Sequence, residues 1–210
     1  MPILIIMLLL ITAMIFPKLI QYNRSQYKEE SGNGFMKTIL DQHNYGEFLA
    51  FTYLEEYEIY QRLITNRLIK NDRQGLDLEL VMINETGLYV FDINNGKGSI
   101  NGDGAREYWT RSYKNKKQTF KNPLLENKER IQFLKKSLPE MDEGRIKSYV
   151  LFNNDCTLDM EQRGFEQGEV LKMMELIKHL NEEILKSEKV FTKTEIDKIY
   201  EVLKKASTKK

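Results

Sequence analysis

Glu79 and Asp92 lie on two apolar segments joined by a turn, a placement that can hold a cation. Leu78, Leu80 and Met82 alternate with Asp77, Glu79 and Val81, the period of two expected of a strand. Asn84-Glu85-Thr86-Gly87 follows as a turn, with Gly87 free to take a positive φ. Residues 88–93 form a second apolar, aromatic-rich strand, broken by Asn94-Asn95-Gly96-Lys97-Gly98. Paired as a hairpin, the two strands bring Glu79 and Asp92 together at the open end. Two carboxylates at such a distance repel unless something positive sits between them. A hard divalent cation with oxygen ligands, a lysine or an arginine would each serve. A surface hairpin laced by salt bridges has the same spacing.

The neighbouring elements must position that pair. Asn44 and Glu47 form an Asn-x-x-Glu capping pattern that opens a helix through about Tyr57, turning Phe48, Phe51, Thr52 and Leu54 to the sheet. Glu47 then sits in the first turn, either as a third acidic group near the pair or as a partner of the helix dipole. Residues 59–69 are expected at a strand edge. Pro123 starts a helix carrying Leu124, Asn127, Ile131 and Leu134 on one face, and 145–152 is the next strand. Beyond Cys156 the pattern is helical. Residues 168–186 carry Val170, Met173, Met174, Leu176, Ile177 and Leu180, and Thr192 with Glu195 caps a last helix. The final lysines, Lys204, Lys205, Lys209 and Lys210, are expected in a solvated tail or against anionic lipid.

Charge is high but balanced, 32 basic against 31 acidic residues, so the chain lacks the global basic field of a strong nonspecific DNA binder. One local patch stands out. Residues 106–121 interleave Arg111, Lys114, Lys116 and Lys117 with Trp109 and Tyr113, so lysines can meet phosphates and rings can stack on bases. The alternation through 108–113 equally suits a strand whose Trp109 packs inward. His43 and His179 are too sparse to suggest zinc.

The N-terminus is apolar. Residues 2–20, written as a helix, span about 28 Å against a hydrocarbon core of about 30 Å. A cleaved signal would show a basic n-region and a small-residue cleavage site, and neither is present. A single-pass anchor in the bilayer is expected, with Lys18, Arg24 and Lys28 setting the following domain in the cytoplasm. The single Cys156 fits a reducing compartment. The expected organisation is an anchor at 1–20, a juxtamembrane linker at 21–35, a domain at 36–160 and a helical extension packed on it at 161–210.

The segment around the acidic pair resembles the nuclease-related domain, known as NERD, of the restriction-endonuclease-like superfamily of metal-dependent nucleases. The likeness runs from about residue 44 to about 155. It includes Gly46-Glu47, the glycine turn at Gly87, Tyr89-Val90-Phe91-Asp92, Asn95-Gly96-x-Gly98-x-Ile100-x-Gly102, Trp109, Asn122-Pro123-Leu124 with Asn127, and Tyr149-Val150-Leu151-Phe152. It implies an α/β fold, a restriction-endonuclease-like mixed central sheet flanked by helices and here preceded by one N-terminal transmembrane helix. It also implies Mg²⁺ held by Glu79 and Asp92 with Glu47 in support. Four positions depart from the family pattern. Glu126 stands where glutamine is usual, Asp and Glu are exchanged at both ligand positions, and Asn94 replaces the motif lysine that orients water and offsets phosphate charge. Lys97 is either the migrated lysine or a solvated turn residue. Two functions follow from the resemblance: a membrane-anchored nuclease hydrolysing nucleic acid with Mg²⁺, or a noncatalytic module binding nucleic acid or a protein on the same tether. A salt-bridged structural domain is the third.

Overall fold

The centre of the molecule is a strand with no solvent face. In the computed structural model, which describes residues 2–70, 75–160, 164–166 and 168–210, the strand Gly87–Asn94 is buried at every residue but the last. Its continuous apolar run, Leu88 to Phe91 and Ile93, is the composition expected where both faces of a sheet are covered. In chain order the elements are α1 (Pro2–Arg24), α2 (Tyr27–Ser31), α3 (Phe35–Leu40), α4 (Gln42–Glu55), β1 (Gln61–Lys70), β2 (Gly75–Asn84) and β3 (Gly87–Asn94). There follow β4 (Gly98–Asn101), β5 (Tyr108–Tyr113), β6 (Lys116–Lys121), α5 (Pro123–Ser137), β7 (Ile146–Phe152) and β8 (Cys156–Asp159). The last are β9 (Gly164–Phe165), β10 (Gly168–Lys172), α6 (Leu176–Lys186), α7 (Lys193–Ala206) and β11 (Thr208–Lys209).

Two mixed sheets result. The larger runs β11-β1-β2-β3-β7-β10-β9 and the smaller β6-β5-β4-β8. Strands β1, β2 and β3 are antiparallel neighbours, whereas β3–β7 and β7–β10 are parallel. The parallel partnership of β3 with β7 continues into that of β4 with β8 at an unchanged residue offset. A bend at Asn95-Gly96-Lys97 therefore folds one pair of chain segments from the first sheet into the second. The mixed α/β class matches expectation, and the second sheet adds to the single central sheet foreseen.

The sheet is covered on both faces. Phe48, Phe51 and Leu54 of α4 join Tyr22, Tyr27, Leu80, Phe91 and Tyr149 in one apolar cluster. Leu134 of α5 and Ile196, Ile199 and Leu203 of α7 join Val81, Ile83, Leu88 and Val90 in the other. Trp109, Leu124, Val150 and Phe152 fill the space under the smaller sheet.

Several local expectations shift. Helix α4 begins at Gln42 because Asp41, not Asn44, is its N-cap, its carboxylate accepting from the Asn44 N–H at 2.8 Å. Residues 168–172 are strand β10, and the expected helix starts only at Leu176, because β7 offers a free edge to pair with. The 145–152 strand begins at Ile146. Residues 21–35 do not form a loose linker. Helix α1 continues to Arg24, and Tyr22, Tyr27, Ser31 and Asn33 are buried. Three of the four C-terminal lysines are likewise engaged, Lys204 lying 3.5 Å from Glu30 Oε1. Thr208 and Lys209 pair with β1, and Lys210 meets Asp77 at 2.8 Å. Helix α1 is long and apolar enough to cross a membrane, with mean hydropathy 2.7 over an 18-residue window that is unburied; a signal sequence shares that composition.

Gly87 shows how tightly β3 is seated. Its φ is 149°, and a Cβ there would collide with the Arg145 carbonyl oxygen. Gly87→Ala is expected to destabilise the fold by about 1–3 kcal/mol, read as a lowered thermal midpoint in detergent micelles.

Candidate functional site

The β2–β3 hairpin sets Leu80 against Phe91, and one further step of that register sets Glu79 against Asp92. Both acids are nearly enclosed, with side chains 11 % and 6 % exposed. They converge on one cation, Arg130 of α5. Its Nη1 donates to Asp92 Oδ2 at 2.7 Å, and its Nη2 reaches Glu79 Oε1 at 3.4 Å. The guanidinium is held from behind as well, Nε donating to the Asp77 carbonyl at 2.6 Å and Nη1 to Asn127 Oδ1 at 2.9 Å. Asn127 in turn donates to Ser148 Oγ and the Tyr149 carbonyl, fixing α5 on β7. The remaining Glu79 oxygen accepts from the Ile93 N–H at 2.5 Å.

Local backbone geometry prepares this meeting. Asn66 of β1, whose φ is 53°, interrupts the β1–β2 ladder between the Thr65–Leu80 and Arg67–Leu78 pairs, opposite Glu79. Leu78 and Leu80, two residues apart, consequently join opposite apolar clusters. Asparagine tolerates the left-handed region better than other side chains.

Burial and the Asp92 charge push the Glu79 carboxyl well above its ordinary value, opposed by Arg130 and the Ile93 N–H. Burial lowers the Arg130 guanidinium, but Asp92 and Glu79 outweigh it and hold the group above the usual arginine value. Glu47 lies close enough to raise Glu79 further. Its own oxygens are occupied. Thr65 Oγ1 and the Asn66 N–H donate to one at 2.8 and 3.1 Å, and the Tyr27 hydroxyl donates to the other at 3.1 Å.

The other expected residues lie beyond the acid pair. Asn94 follows Asp92 on β3, and its Oδ1 accepts from Arg111 Nη2. Lys97 is half-exposed, with its ammonium 2.7 Å from Asp155 Oδ2. Trp109 is buried, stacked on Phe152 with centroids 6.2 Å apart, and its indole N–H donates to the Asp103 carbonyl at 2.8 Å. Lys114, Lys116 and Lys117 are exposed around the β5–β6 turn, where Lys114 and Asn115 have φ of 46° and 62°. Two consecutive positive φ values suit the twist of a two-residue hairpin turn. The turn thus projects its lysines into solvent.

A family model for the nuclease-related domain matches residues 42–153, more than half of the 210-residue chain. The chain belongs to the nuclease-related domain family. No curated protein and no solved structure matches it. Nuclease-like domains of this family are typically metal-dependent, so the donor set must be tested for a divalent cation. As arranged it does not fit one. The space between Glu79 and Asp92 is filled by a guanidinium fixed by two further acceptors, and each Glu47 oxygen already accepts a hydrogen bond. Elsewhere among the described residues, Glu169, His179 and Glu183 bring ligand atoms within 4.8 Å of one another, with Lys147 already bonded to Glu183.

Arg130 is the site residue that the sequence reading missed. A signal was present, because Arg130 falls three residues after Asn127 and four before Leu134, on the face that must meet the sheet. A charge in that position needs a buried partner.

Removing that charge exposes the acids to one another. Arg130→Met is expected to destabilise the protein by about 3–5 kcal/mol at neutral pH, the usual cost of leaving a buried charge unpaired. The sign with pH follows from Glu79. Its folded pKa lies above the unfolded 4.5, so the folded state binds the proton more tightly and gains stability as pH falls through the folded value towards 4.5. The deficit of Arg130→Met should therefore shrink on acidification, as measured by thermal melts at a series of pH values.

Proposed function

We propose that this chain is a membrane-tethered nuclease-related domain that binds nucleic acid, with Arg130 in the place a divalent cation would take, and that it does not hydrolyse what it binds. The observation that carries this reading is the convergence of Glu79 and Asp92 on the Arg130 guanidinium at 3.4 and 2.7 Å. A guanidinium satisfies two carboxylates with directional bonds, but it cannot lower the pKa of a water or polarise a phosphodiester as a bound metal does. Asn94, at the motif position of the lysine, carries no charge to offset that building on phosphate.

Binding falls to the exposed basic hairpin. Lys114, Lys116 and Lys117 reach phosphates, and Arg111 lies on the same strand as the partly exposed rings of Tyr108 and Tyr113. Trp109 supports this surface from beneath. The tether is α1, whose C-terminal turns pack on the domain through Tyr22 and through Lys18 over the Tyr45 ring. By the positive-inside rule the domain faces the cytoplasm.

The enzymatic reading retains one specific support. Glu79, Asp92 and Glu47 remain clustered on three adjoining elements, so a Mg²⁺ ion that displaced Arg130 would meet acidic oxygens. In that case Glu79 and Asp92 would hold the metal, and Asn94 or Lys97 would orient water.

The two readings part in one assay. The full chain in detergent micelles should retain a labelled single-stranded DNA or RNA with affinity that falls as salt rises, and should leave it uncut with Mg²⁺ or Mn²⁺. Metal-dependent cleavage by the wild type that disappears in Asp92→Asn would overturn the noncatalytic reading. Arg130→Met should bind Mn²⁺ more tightly than the wild type, measured by calorimetry, because the competing cation is gone.

A further inference from the structure

Arg111 is a second cation taken partly out of solvent, and no acid among the described residues answers it. One face of its guanidinium lies on the Phe120 ring, with Cζ 5.3 Å from the centroid, and Nη2 donates to Asn94 Oδ1. Its Nε is buried and finds no acceptor among the described residues. Burial pulls the group below its ordinary value, opposed by Cys156 and, among the described residues, by no carboxylate. This is the reverse of Arg130, whose two acids more than offset its burial.

The surroundings are built to keep Arg111 there. Gly96 passes so close that a Cβ would overlap Arg111 Nη1, so only glycine leaves room for the guanidinium at the bend between the sheets. A cavity of about 330 Å³ opens beside it, with Lys97 and Lys116 on its wall. Lys97 is balanced by Asp155, and Lys116 has no ion-pair partner among the described residues. Among the described residues, three cations against one carboxylate leave a surplus of two positive charges around one concavity. That surplus exceeds what a single carboxylate would neutralise and matches a phosphate, whose oxygens also suit the planar fork of an arginine.

We propose that Arg111, with Lys97 and Lys116 at the rim and Gly96 as the floor, forms a seat for one phosphate group, either a phosphodiester of a nucleic-acid backbone or free inorganic phosphate. The first source rests on the function proposed above; the second does not. The seat adds an anion site to the molecule separate from the acid pair. Asn94 joins the two, because it follows Asp92 by two residues on β3 and accepts from Arg111.

The test uses the full chain in detergent micelles, titrated with inorganic phosphate by calorimetry and with a labelled oligonucleotide by fluorescence anisotropy. Arg111→Gln should weaken phosphate binding about tenfold or more, as expected for loss of a charge-assisted pair. Gly96→Ala should weaken it comparably by displacing the guanidinium without changing charge. Lys116→Gln, an exposed substitution that leaves the fold intact, should weaken it about threefold and keeps the test valid should Arg111→Gln fail to fold. A parallel loss of oligonucleotide affinity in Arg111→Gln identifies the backbone phosphodiester as the natural occupant. Phosphate binding that needs Arg111 beside oligonucleotide binding that does not identifies free phosphate. Phosphate binding by a chain that binds no oligonucleotide upholds the seat while refuting the nucleic-acid reading. Wild-type protein that binds no phosphate at millimolar concentration, or phosphate affinity unchanged in both Arg111→Gln and Lys116→Gln, overturns the proposal.

Discussion

Two buried carboxylates on adjacent strands cannot both stay ionised without a cation at bonding distance, and the mouth of the β2–β3 hairpin is organised around that constraint. Arg130 meets it at the cost of its own desolvation. The remaining guanidinium bonds, to the Asp77 carbonyl and Asn127, leave it little freedom to swing away. The same residue thereby clamps α5 to β2 and β3, and Asn127 clamps it to β7. A well-packed hydrophobic substitute for the whole triad would not necessarily be less stable. What the triad adds is direction, since charged partners accept only a few relative positions of helix and sheet.

The fold separates its charges. Acidic groups of the hairpin mouth are enclosed and answered from within, whereas the lysines of the β5–β6 turn stand in solvent. A net charge of +1 therefore conceals an enclosed acidic site beside an unbalanced basic surface. The bend at residues 95–97 makes that juxtaposition possible. It carries the β3–β7 partnership into β4–β8 and so brings β5, with Arg111, against the end of β3.

Where local chemistry decided the outcome, the sequence was readable. The β2–β3 hairpin, Pro123 at the start of α5, the capping box of Thr192 and Glu195, and the alternating strand from Tyr108 to Tyr113 all stand as their patterns imply. Reading failed where one pattern admitted two structures. Val170, Met173, Leu176 and Leu180 keep helical spacing, yet the first of them lies in β10, because five residues are too few for periodicity to separate strand from helix. Asp41 and Asn44 are both good N-caps, and the earlier one prevailed. Residues 21–35 are polar enough for a linker, but Tyr22 and Tyr27 find a core only once α4 lies beside them.

The acid pair shows the same division within a single site. The sequence by itself determined that Glu79 and Asp92 would meet, because a short turn with glycine at its end sets the register of a hairpin. It also determined, through the matched span 42–153, the family to which the domain belongs. Only the tertiary structure decided what lies between the acids. Arg130 is 38 residues from Asp92 and 51 from Glu79, and it arrives on a helix whose position depends on β7. Contacts of that separation are set by the packing of whole elements, for which no local spacing is a guide.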